Sequence, residues 1–186
     1  MQTYKLLTLL AGLLILEGCS GIRVSQDYPP DTDYTSLKTY TWQSAKQELT
    51  GDLRLDNPLR DGRIRRAVDR LLSEKGYLRV SEEPPDFYVA YHQKIYSRVN
   101  VEEAGSGFLF GVGNYGYHGG VGFSFGNRAD DYDETLLAID IIDSGSGDLI
   151  WRGTGTRPFV QHTDPQKLTE RINQTVQKIL SQFPPR

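Results

Sequence analysis

Two stretches of the chain repeat apolar residues at helical spacing, and several others alternate them at the spacing of a strand. Ile64, Ala67, Val68, Leu71 and Leu72 follow i, i+3, i+4, i+7, i+8, so one stripe of a helix over 57–76 faces a core. Asn57 stands at its capping position, Pro58 at its first turn and Gly76 just past its end, the residue types those places favour. Leu168, Ile172, Val176, Ile179, Leu180 and Phe183 form a second stripe. Asp164 and Pro165 open that helix, and Pro184 and Pro185 close it. Strands are predicted over 22–28, 36–43 and 85–99, where Phe87, Val89 and Tyr91 point one way and Tyr88, Ala90 and His92 the other. A hairpin follows over 133–156. Leu137, Ile139 and Ile141 share a face, 144–148 turn, and Leu149 and Trp151 return inward.

The element order is therefore β-β-α-β-(insert)-β-β-α. Strands joined mainly by short turns predict a mostly antiparallel sheet, with two amphipathic helices on one face, an α+β arrangement in a single domain. Arg63, Arg66 and Arg70 lie on a second face of the first helix. They read as a solvated charged face beside Asp69, with contact to anionic lipid or a partner as the other reading.

The first residues change the picture. Lys5 precedes an apolar run from Leu6 to Leu16, shorter than the roughly 20 residues a spanning helix needs. It has the order and length of a secretory signal, with small Gly18 at the cleavage point. Cys19, the only cysteine, follows. Leu16 to Cys19 resemble the lipobox of bacterial lipoproteins, although Glu17 departs from the small or apolar residue usual there. The resemblance implies cleavage before Cys19, lipidation of its thiol and acylation of its new amine. Ser20 after it implies the outer membrane of a Gram-negative bacterium. Residues 1–18 then form a lipoprotein signal peptide, and 19–186 a single periplasm-facing domain anchored by several acyl chains, which hold more firmly than one. A lone cysteine forms no internal disulfide. The net charge of −3 gives no reason to expect nucleic acid as a partner.

Residues 105–126 differ from everything around them, with nine glycines and six aromatics, Phe108, Phe110, Tyr115, Tyr117, Phe123 and Phe125. Gly111, Gly113 and Gly116 spell G-x-G-x-x-G, yet a dinucleotide site needs a helix to follow. Here four more glycines follow within ten residues, each costing a helix about 1 kcal/mol, so no nucleotide is expected. Gly122, Ser124 and Gly126 spell G-x-S-x-G, which also needs a strand-turn-helix context. A hydrolase would use Ser124, Asp140 or Asp143, and His162. Those aspartates read better as hairpin residues, and Ser124 as an outward strand position. His92, His118 and His162 have no metal-ligand spacing. Asp130, Asp131, Asp133 and Glu134 read as a solvated acidic turn rather than a calcium loop. The 105–126 insert is a candidate partner or membrane contact through its six aromatics.

The stretches 33–42, 64–77, 84–92 and 135–155, with the closing Phe183-Pro184-Pro185, resemble the lipoprotein family called domain of unknown function 4136. The resemblance implies an envelope lipoprotein and supplies no activity, cofactor or functional residue. The expected function is a non-enzymatic binding or structural module, held to the membrane by the lipid on Cys19 and open to an envelope protein partner. The alternatives are a small serine hydrolase acting through Ser124, and a small-molecule-binding domain with a pocket between sheet and helices.

Overall fold

A computed structural model describes residues 21–81, 84–101, 129–161 and 164–185. Along the chain run β1 (Arg23–Asp27), β2 (Thr39–Trp42), α1 (Pro58–Glu74), β3 (Leu78–Arg79), β4 (Phe87–Val101), β5 (Ala129–Asp143), β6 (Leu149–Pro158) and α2 (Pro165–Leu180). The strands form one sheet in the order β1-β6-β5-β4-β2-β3.

The sheet is mixed rather than mostly antiparallel. The pairs β1–β6, β6–β5 and β5–β4 run antiparallel, whereas β2 lies parallel to both β4 and β3. The reason is α1. Hairpin turns reverse a strand, but a chain that crosses back through a helix starts its next strand in the original direction. Asp86 fastens this parallel seam. One of its carboxylate oxygens accepts from the Lys38 and Thr39 amides, both at 2.8 Å, and from the Thr39 hydroxyl at 2.9 Å. Those bonds hold the Asp86 carboxyl below its ordinary pKa, the Thr39 amide contributing most.

Both helices begin as the sequence predicts. The Asn57 side chain accepts from the Leu59 amide and that of Asp164 from the Lys167 amide. Gly76, with φ of 92°, follows α1. All five stripe residues of α1 are buried, as are Ile172, Val176, Ile179 and Leu180 of α2. They cover the sheet face that presents Tyr40, Phe87, Val89, Ile139, Ile141 and Trp151. Phe183, just past α2, enters an aromatic cluster with ring centroids 5.1 Å from Trp151, 5.6 Å from Tyr77 and 5.8 Å from Tyr34.

Two local expectations fail for physical reasons. Leu149 does not return inward; it is 41% exposed. A register shift between Ile141 and Ile142 leaves Trp151 opposite Ile141 and Leu149 opposite Ile142, and one extra residue reverses which face a side chain meets. The acidic run is not a solvated turn. Residues 129–134 are the first part of β5, paired with β4 through to Val101, and Glu134 is fully buried.

Helix α2 packs tightly on β6 at two glycines. A Cβ added to Gly153 would lie 2.3 Å from a Trp151 ring carbon and 2.6 Å from Ile179 Cγ2; at Gly155 it would lie 2.9 Å from Ile179 Cδ1. Overpacking a filled core costs typically 1–3 kcal/mol. Gly153→Ala should therefore lower the unfolding free energy by about 2–3 kcal/mol in urea, with the slope unchanged. A variant as stable as the wild type would show that α2 does not rest on this strand.

Candidate functional site

Past Gly155 the inward positions of β6 change character. Trp151, Gly153, Gly155 and Arg157 alternate toward the helices, so an arginine follows two glycines on the face that packs against α2. There it helps line a hollow of about 50 Å³ between the sheet and the first turns of both helices. Arg60 comes from the first turn of α1, and Arg171 from α2 one turn before Thr175. Ile64, Leu137, Leu168 and Ile172 supply apolar wall.

The three arginines are held by neutral groups. Arg157 Nη1 donates to the Arg171 carbonyl at 2.8 Å and to Thr175 Oγ1 at 3.4 Å. Arg171 Nη2 donates to the Pro158 carbonyl at 2.7 Å, and Arg60 Nε to Gln93 Oε1 at 2.6 Å. Arg157 Nε is buried without a hydrogen-bond partner. Among the described residues no Asp or Glu lines the hollow, and none forms an ion pair with these three arginines. Burial, followed by the like charge of Arg171, pushes the Arg157 guanidinium down to about 10. Burial also lowers Arg60 and Arg171 from the ordinary arginine value.

Among the described residues, the buried carboxylates Asp140 and Glu134 and the half-buried ones of α1 are compensated. On the sheet face away from the helices, Asp140 is 3% exposed and accepts from Arg152 Nε at 2.6 Å and Nη2 at 2.5 Å, with His92 Nε2 at 3.3 Å. Glu134 on the same face binds Arg23 and accepts from the Tyr96 hydroxyl. Beneath α1, Asp69 accepts from Tyr40, Trp42 and Arg79, and Asp61 accepts from Arg65 and Tyr91. A larger, open cleft of about 380 Å³ lies beside β4 under the loop at 47–55, where Glu48, Asp52 and Lys94 mix the charges. The small hollow is thus distinguished by sign: it offers donors without acceptors of matching charge.

Of the aspartates in the hydrolase alternative, Asp140 is held by Arg152, and Asp143 accepts from the Gly145 and Ser146 amides in the hairpin turn. Ser124, His118 and His162 lie outside the described residues, as do Cys19 and Phe108, Phe110, Tyr115, Tyr117, Phe123 and Phe125. The arginine face of α1 divides: Arg63 donates to Thr169 on α2, Arg70 pairs with Glu74, and Arg66 is exposed. The sequence marked the hollow's apolar wall as core but not its three arginines. The available signal was the strand period, which carries inward from Trp151 to Arg157. The convergence of Arg60 and Arg171 had none.

Residues 24–185 match the family described as Domain of unknown function (DUF4136). No curated protein matches the chain. Among solved structures, the chain is similar to a PelC dodecamer from Paraburkholderia phytofirmans at 16% identity, covering 89% of this chain and 99% of that one, with a TM-score of 0.47. A second PelC dodecamer from that organism gives 14% identity, 86% and 95% coverage, and 0.47. A PDZ domain protein from Parabacteroides distasonis gives 13% identity, 89% and 36% coverage, and 0.49.

The unpaired charge makes a signed prediction. Replacing a buried charge by an apolar residue of similar volume is often neutral or stabilising, so Arg157→Met should melt no lower than the wild type. Burial holds the folded Arg157 guanidinium at about 10, below the ordinary arginine value that the unfolded chain keeps. Below about pH 10 both folded and unfolded chains are protonated there, and the penalty is constant. Between about pH 10 and the ordinary arginine value the unfolded chain binds more protons, so wild-type stability rises relative to the variant. Denaturant titrations of both proteins at about pH 8 and pH 11 should show the gap narrowing at the higher pH. A gap independent of pH would contradict the assignment.

Proposed function

The chain belongs to the DUF4136 family, and on that premise we propose that it is a non-enzymatic binding module of the bacterial cell envelope, anchored by lipid on Cys19 to the outer membrane and facing the periplasm. The observation that carries the binding reading is the hollow whose three arginines have neutral partners in place of carboxylates. An unpaired, partly desolvated cation is costly to keep, and a pocket with a few convergent polar groups is the ordinary form of a ligand site.

Further support comes from what the reactive side chains are doing. Asp140 is bound by Arg152, and Asp143 organises a turn. Both are occupied in structural roles that a hydrolytic triad would need them to leave. The anchor rests on the sequence: an apolar run, then Gly18 and Cys19, three residues ahead of the first residue of the fold's ordered core, Ile22. So short a connection, at roughly 3.3 Å per extended residue, would keep the domain against the membrane surface. The aromatic-rich stretch 105–126 is assigned contact with an envelope protein partner, on its composition.

Fractionation tests the anchor. The wild-type protein is expected in the outer-membrane fraction with acylated Cys19. Cys19→Ala should remain uncleaved or appear in soluble fractions. A native protein that is soluble, with an unmodified Cys19, would overturn the anchored reading. Labelling of the domain by a fluorophosphonate probe, lost in Ser124→Ala, would overturn the non-enzymatic part.

A further inference from the structure

We infer that the hollow among Arg60, Arg157 and Arg171 binds an oxyanion, a carboxylate or phosphate group carried on a small apolar stem. The inference deepens the binding-module reading and rests on it for the site's biological use, while the chemistry rests on the hollow alone.

Three observations converge. The first is the missing countercharge. On the sheet face away from the helices this protein matches buried Asp140 and Glu134, and on α1 half-buried Asp69 and Asp61, with donors or cations. Around the hollow it gathers three guanidinium groups and, among the described residues, no carboxylate, an arrangement that an arriving anion completes.

The second is an unsatisfied donor on a residue of the hollow's wall. Arg157 spends Nη1 on the Arg171 carbonyl and Thr175. Its Nε is buried and unpartnered. In a guanidinium, Nε and Nη2 form one planar edge whose two N–H groups match two oxygens of a single carboxylate or phosphate. The neutral bonds to Thr175 and to the Arg171 carbonyl hold that guanidinium in place before any ligand arrives, so little side-chain freedom remains to be lost on binding. Thr175, buried within the otherwise apolar stripe of α2, thereby acquires a purpose as a positioning residue.

The third is size and lining. A volume of about 50 Å³ takes roughly three to five water-sized groups at about 10–15 Å³ each. That suits an oxyanion head and excludes a nucleotide. Ile64, Leu137, Leu168 and Ile172 then favour an apolar rather than a sugar-like continuation.

The test uses the full-length chain in a zwitterionic or neutral detergent, titrated calorimetrically with inorganic phosphate and with hexanoate up to about 10 mM. A separate arm measures flotation with phosphatidylglycerol vesicles against phosphatidylcholine vesicles. Saturable binding of at least one probe is expected, weakened about tenfold or more in Arg157→Met and in Arg171→Gln, with both variants melting no lower than the wild type. Arg157→Lys, which keeps the charge but loses the fork, should bind between the two. Binding of phosphate or hexanoate marks a free anion as the source. Arginine-dependent binding of phosphatidylglycerol vesicles alone marks a lipid headgroup. The inference is overturned if no probe binds in a manner that depends on Arg157 or Arg171. It is equally overturned if the variants lose stability while binding is unchanged, because the arginines are then structural. The anchoring test on Cys19 succeeds or fails independently, so the two readings can be told apart.

Discussion

The seat of α2 on two glycines of β6 governs the rest of this domain. Gly153 and Gly155 present no side chain where Ile179 and Trp151 already occupy the space. Contact at that distance fixes how α2 lies along the strand. From there Phe183 is carried past the helix end into the ring cluster with Trp151, Tyr77 and Tyr34, and the stripe of α1 closes the same core from the other side. The same seating places Arg171 and Thr175 over Arg157, two residues beyond the second glycine. Packing and binding chemistry are consecutive stretches of one strand: a glycine pair that admits the helix, then an arginine that meets it.

This juxtaposition sets stability against use. A domain of this size is stable by only about 5–15 kcal/mol, and unpaired buried charge draws that margin down. Elsewhere the chain avoids the cost: Asp69 gathers three donors and Asp140 a two-pronged arginine. Half-buried arginines gathered at one hollow without a carboxylate among the described residues, while buried Asp140 and Glu134 are matched, are the pattern expected where function holds a structure away from its most stable sequence.

Much of the fold was legible because local signals agreed. Asn57, Pro58 and Gly76 marked α1, Asp164 and Pro165 marked α2, and each apolar stripe proved to be the buried one. The parts that were not legible depend on pairing. The parallel seam of β2 follows from the crossover through α1, and β3 is two residues long, too short for any period to register. Leu149 was misplaced because a bulge is a property of two strands together. The acidic residues before Leu136 looked solvated in isolation, and Glu134 is buried only because Arg23 and Tyr96 arrive from β1 and β4. The candidate site was least legible of all: its three arginines come from three elements, and a charged residue on an inward strand position stands out only once the strand's register is known.

The central claim is that Arg157 Nε is a donor held in place for an anion, and nitrogen-15 NMR of arginine Nε–H groups reads that donor itself. With the Arg157 signal identified by its loss in Arg157→Met, addition of phosphate or hexanoate should shift it and slow its exchange with water, while the Arg152 signal, already bonded to Asp140, stays in place. An Arg157 signal that does not move while surface arginines respond would contradict the account.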